Sequence, residues 1–118
     1  MTIAELGTEL EKYYKYVKAS YNEEDGNLLN KRITYCNGII ARSSEMLSWA
    51  QYYLDQARGE VATEIANQHT ATVFREVLNA RTANETRLCK LTERLNSTVK
   101  HQLDGLRSQL SYLKSFND

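Results

Sequence analysis

The sequence predicts an all-α protein: a long antiparallel helical hairpin with a shorter N-terminal helix, its helical bundle completed by homo-oligomerisation. Three observations carry that expectation. The 118 residues include no proline and only five glycines, which leaves few places for turns. Leu29, Ile33, Cys36, Ile40, Ser43, Leu47, Ala50, Leu54, Ala57 and Val61 step four, three, four, three, a heptad seam of more than four repeats. Leu88, Leu91, Leu95, Val99, Leu103, Leu106, Leu110 and Leu113 form a second stripe at helical spacing.

Helix 1 is expected over about residues 3–22 of a single domain spanning 1–118. Thr2-Ile3-Ala4-Glu5 reads as a capping box, and Ile3, Leu6, Leu10, Tyr13, Val17 and Tyr21 share one face. Gly26 suits a left-handed residue after that helix, and Asn27 suits the cap of the next. Helix 2 is expected over about 27–67. Leu28, Tyr35, Ile39, Met46 and Tyr53 widen its stripe beyond what one partner helix needs, so a third helix must touch it. The hairpin turn falls at Asn67-Gln68-His69-Thr70, where Asn67, His69 and Thr70 are weak helix formers.

Helix 3 is expected over about 71–115. Thr82-Ala83-Asn84-Glu85 is another capping-box sequence inside it, and the sequence leaves open whether the helix runs straight through or is kinked or broken near 79–83. At ~1.5 Å per residue helix 2 spans about 60 Å and helix 1 only about 30 Å. Connectivity puts the short helix over the open end of the hairpin, beside residues 27–45 and 94–114. The other half, around Leu47, Trp49, Leu54 and Leu88, is then a bare two-helix rod. Exposed apolar surface of that kind points to self-association.

Composition limits the function. Net charge is zero, with 42% apolar and 25% charged residues, so extended DNA binding is disfavoured. The charge is uneven: residues 1–25 hold six acids and three bases, and residues 86–118 hold six bases and three acids. No apolar run approaches the ~20 residues of a membrane helix, and no signal-peptide core is present. Cys36 and Cys89 read as reduced core residues, and the chain reads as cytoplasmic. His69 and His101 lie far apart, and no metal-ligand spacing, phosphate loop or nucleophile–base set is evident. The expectation is a binding protein rather than an enzyme, with no cofactor and no metal.

Two stretches carry candidate binding chemistry. Arg87, Lys90, Arg94, Thr98, His101, Gly105, Ser108 and Tyr112 form a polar stripe without a carboxylate. Arg94 and His101 suit an anionic ligand, Ser108 and Tyr112 add hydrogen bonds, and Arg107 adds a second phosphate partner. Arg107 lies about 120° round the helix from His101, so one helix cannot aim both at one group. A pocket between subunits or helices is required. The plainer alternative is a solvated face that is basic. The second stretch is Lys12-Tyr13-Tyr14-Lys15-Tyr16-Val17-Lys18, where rings suit bases and ammonium groups suit phosphates. Tyr14 and Tyr16 fall off the core face, and helix–helix interface packing is their plainer reading. Trp49, with Tyr52 and Tyr53, reads as an oligomer contact.

Arg94-Leu95-Asn96, His101-Gln102, Leu106-Arg107-Ser108 and Ser111-Tyr112, with Asn79-Ala80-Arg81 to Glu85 before them, resemble the C-terminal signature of small all-helical proteins of temperate bacteriophages. The resemblance covers the last third of the chain, and positions 71–74 depart from that group in lacking a proline. The group has no assigned catalytic activity. The resemblance therefore implies a phage origin and a host-cytoplasmic setting rather than a reaction. It implies stoichiometric binding, and the reading it favours is sequestration of an anionic, nucleotide-like signalling molecule of host immunity in inter-subunit pockets. The alternatives are a helical adaptor or inhibitor bound to a host or phage protein, and an accessory factor in phage DNA recombination.

Overall fold

The structure, a computed structural model, describes residues 1–117. It consists of four helices: α1 (Ile3–Lys18), α2 (Gly26–Glu64), α3 (Ala71–Arg81) and α4 (Ala83–Asn117). α2 packs antiparallel to α4 along most of its length, and α1 lies across both. The molecule measures 71 × 26 × 19 Å, with a radius of gyration of 19.8 Å. A compact chain of this length would have about 13–14 Å. The protein is a rod whose length is set by its two long helices.

Local chemistry explains where each helix starts and stops. Thr2 caps α1: its hydroxyl oxygen accepts from the Glu5 N–H at 3.1 Å. α1 ends at Lys18, four residues before the expected end. Beyond Ala19 the chain turns extended and Tyr21 folds against the Arg32 side chain. Asp25, not Asn27, caps α2, its carboxylate accepting from the N–H groups of Asn27 and Leu28. A carboxylate also complements the positive end of the helix dipole, which an amide does not. Gly26 is therefore the first helical residue, and no glycine has positive φ among the described residues.

α2 ends at Glu64 rather than 67, and Asn67 makes the turn with φ 63°. Thr70 caps α3, so the next helix begins at Ala71 as its sequence indicates. The long third helix expected over 71–115 is divided at Thr82, where φ is −110° and ψ 16°. The Thr82 hydroxyl donates back to the Leu78 carbonyl at 2.8 Å, a bond that bends helices. The break lets α3 fold back on α2, so Leu78, Phe74 and Val77 close over Val61 and Ile65 as a small second core.

The main core holds Leu6 and Leu10 of α1, Leu29, Cys36, Ile39 and Met46 of α2, and Leu95, Val99, Leu103 and Leu106 of α4. α1 sits over the middle of the rod, not its open end. The Tyr53 hydroxyl donates to the Met1 carbonyl, and Arg42 grips Glu9 at 2.7 and 2.9 Å. The Tyr14 hydroxyl reaches the Leu91 carbonyl at 2.7 Å, and the Gln102 amide reaches the Val17 carbonyl at 2.8 Å. These ties slide α1 toward the hairpin turn relative to the expected cover. Leu47, Leu54 and Leu88 are half-buried as a result, while Trp49 and Tyr52 stay exposed.

Candidate anion-binding cleft

The break at Thr82 opens a cleft of about 670 Å³ between the end of α2, the end of α3 and the first turns of α4. Arg58 enters from α2. Arg87, Lys90 and Arg94 enter from α4, three and four residues apart, so one helical face carries all three. Asn79 supplies an amide, while the Thr86 hydroxyl donates to the Thr82 carbonyl at 3.0 Å. No carboxylate lines the cleft, and none of the four cations is in an ion pair among the described residues. The Arg58 guanidinium donates to the Asn79 amide oxygen at 3.3 Å, which aims it along the cleft. Neighbouring Arg81 is instead engaged by Glu64 at 2.8 Å.

Four like charges in one concavity repel each other, and an anion relieves that repulsion. Guanidinium groups present paired N–H donors matched to phosphate or carboxylate oxygens. The arrangement can bind and neutralise. Among the described residues no group of three or more His, Cys, Asp or Glu side chains is placed to hold a metal. The two thiols, Cys36 and Cys89, are buried and free, and burial pushes both up from the usual thiol range. No helix is long and apolar enough to cross a membrane.

Of the residues singled out from the sequence, Arg94 lines this cleft. Tyr14 stands beside it in the same chain: burial pushes its phenol up, and the nearby Arg94 charge partly offsets this. Its hydroxyl is committed to the Leu91 carbonyl, so Tyr14 fixes the α4 turn that carries Arg94. No second subunit is needed to bring these two together. His101, Ser108 and Tyr112 continue the same exposed face of α4. Eighteen residues separate Arg94 from Tyr112, about 27 Å of helix, so one small ligand in one chain cannot touch both. Tyr112 packs edge-on against Phe116 at 4.7 Å. Arg107 lies on a different exposed face, as its position in the helix dictates. Tyr16 points away from Tyr14, onto Arg32 and Tyr35.

Arg87 and Lys90 belonged to the recognised stripe, but Arg58, Asn79 and Thr86 were not expected to join it. They come from other turns and are brought in by the break, whose existence the sequence left open. Arg32 was also missed: it sits beside the apolar seam of α2, where a basic residue reads as a solvated flank. The chain matches no protein-family model, no curated protein and no solved structure.

Proposed function

We propose that the protein is a non-catalytic binding protein that captures an anionic, nucleotide-like molecule in the cleft of Arg58, Arg87, Lys90 and Arg94. The observation that carries this reading is four unpaired cations lining one carboxylate-free concavity. Each charge-assisted contact contributes on the order of 1.5–3 kcal/mol. Two or three such contacts sum to about 3–9 kcal/mol, which with stacking on a base places affinity near the micromolar range before ordering costs. The phage resemblance supports a signalling nucleotide of host immunity as the target and the host cytoplasm as the setting.

The protein works as a homo-oligomer in this reading. Trp49 and Tyr52 are 37% and 50% exposed on the outer face of α2, a costly surface for a lone rod to show water. A second subunit also supplies what one chain lacks. It brings the His101 and Ser108 face of its α4 toward a ligand held at Arg94, and Arg107, on another face, serves only from a further helix.

The test is calorimetry with a panel of cyclic dinucleotides, cyclic mononucleotides and adenosine-diphosphate-ribose derivatives. A bound member should be recovered chemically intact after heat denaturation. A panel with no binder, or a binder recovered as cleaved product, would overturn the proposal. The second reading, a protein adaptor, is favoured by one observation. Trp49, Tyr52 and Tyr53 pack as a three-ring cluster with centroids 5.5–6.2 Å apart, the residue types that dominate protein interfaces.

A further inference from the structure

A second polar feature lies at the C-terminal end of α1 and takes no part in the cleft. Arg32 is only 6% exposed. A buried guanidinium is costly unless its charge is compensated and its N–H groups are bonded. Among the described residues Arg32 has no carboxylate partner. Its Nη2 donates to the Tyr16 carbonyl at 3.0 Å, with longer reaches of 3.4–3.5 Å to the Val17 and Ala19 carbonyls and the Gln102 amide oxygen. The guanidinium carbon lies over the rings of Tyr16 and Tyr21, 4.4 and 4.1 Å from their centroids.

Those contacts explain one edge of the group. Nη2 closes the C-terminal end of α1, where carbonyls lack helical partners and a cation is favoured. They do not explain the rest. A guanidinium carries five N–H donors. Nε is buried without an acceptor, and Nη1 has none among the described residues. A lysine ammonium would close a helix end without stranding a planar fork.

Arg32 also lines a cavity of about 350 Å³ with Lys31, Ser20, Tyr16, Tyr21 and Tyr35. That volume is at the small end of the range for small-molecule sites. Its lining has two cations, a serine hydroxyl, three phenols and no carboxylate. We propose that this cavity is a separate site for a small phosphate monoester carried on a flat aromatic group. Arg32 and Lys31 take the phosphate oxygens, Ser20 donates to one of them, and Tyr21 and Tyr35 receive the flat group, since Tyr16 is already packed against Arg32 and Tyr35. Two cations match a dianionic monoester better than a monoanionic carboxylate. The tyrosine walls give the ester an advantage over inorganic phosphate, because ring stacking on a ligand adds to the ionic contacts.

The test uses the full chain, with phenyl phosphate and inorganic phosphate as probes. Calorimetry is combined with proton–nitrogen spectra of the arginine side chains. Phenyl phosphate should shift the Arg32 guanidinium signal and bind at least tenfold more tightly than inorganic phosphate. Lys31→Ala, an exposed change, should weaken it at least tenfold, and Arg32→Lys should do the same. Arg94→Ala should leave it unchanged, which separates this site from the cleft. An unmoved Arg32 signal, equal affinity for inorganic phosphate, or binding lost in Arg94→Ala and kept in Lys31→Ala would each overturn the proposal. If Arg32→Lys does not fold, the Lys31 variant and the Arg32 signal of the unaltered protein decide it.

Discussion

The Asn96 amide donates to the Ser43 hydroxyl at 2.8 Å across the seam between α2 and α4, inside an otherwise apolar stretch. It also reaches the Ile40 carbonyl at 3.2 Å. Ser43 is fully buried. Apolar heptads slide past one another at little cost, but this pair is satisfied in one register only. Register matters to function because it sets Arg58 opposite Asn79 and Arg87. Asn96→Ala should lower stability by about 1–2 kcal/mol, since a buried hydrogen bond is lost. Urea unfolding followed by circular dichroism measures it, and an unchanged midpoint would contradict the assignment.

Acid should loosen α1 before it unfolds the rod. The Arg42 hydrogen bonds hold the Glu9 carboxyl below its ordinary value of 4.5. A group with a lowered folded-state value stabilises the fold above that ordinary value. The contribution disappears as pH falls below about 4.5 through the folded-state value. Arg42 is 34% exposed, so solvent screening limits the effect to about 1 kcal/mol. Glu9→Gln should remove this part of the acid dependence. Stability curves of the two proteins that stay parallel from pH 6 to pH 3 would refute the coupling.

Alkali should act on the same helix in the opposite sense. Burial, helped by the hydrogen bond to Glu9, pushes the Tyr13 phenol up to about 12. Its neutral form supports the fold, so stability is full below the ordinary value of 10.0 and falls as pH rises toward 12. Absorbance titration near 295 nm against Tyr13→Phe should assign the last phenol to ionise to this residue. A difference spectrum centred at pH 10 would contradict it.

Self-association is tested at the exposed rings. Trp49→Asp places a charge on the outer face of α2, away from the buried core, so the monomer should still fold. Light scattering should show an oligomer for the unaltered chain and a smaller species for the variant. A monomer for the unaltered chain at micromolar concentration would remove the subunit-sharing part of the proposal.

The helical class was legible because Leu29 to Val61 and Leu88 to Leu113 repeat without interruption. The hairpin turn was legible from Asn67 to Thr70. Three features were not. α1 stops early because Tyr21 prefers the Arg32 guanidinium, eleven residues on, to another helical turn, a contact set by tertiary packing. Asp25 displaced Asn27 as cap because both are good caps and the sequence does not rank neighbours that close. The cleft was half visible. Arg87, Lys90 and Arg94 share a face that periodicity reveals, but Arg58 joins them only through the pairing of α2 with α4. His101, Ser108 and Tyr112 share that face too, and periodicity cannot tell a concave stretch of it from a flat one.

Anion capture by the cleft is measured by the affinity of the best-binding nucleotide for the unaltered protein, Arg87→Ala and Arg94→Ala, in titration calorimetry at one salt concentration. All four cleft cations are free of ion pairs among the described residues, so neither change removes a structural contact and the circular dichroism spectrum should be unaltered. Loss of one charge-assisted contact, about 1.5–3 kcal/mol, predicts roughly 10- to 100-fold weaker binding in each variant. Binding that persists at full strength in both variants, with the fold intact, would contradict the account.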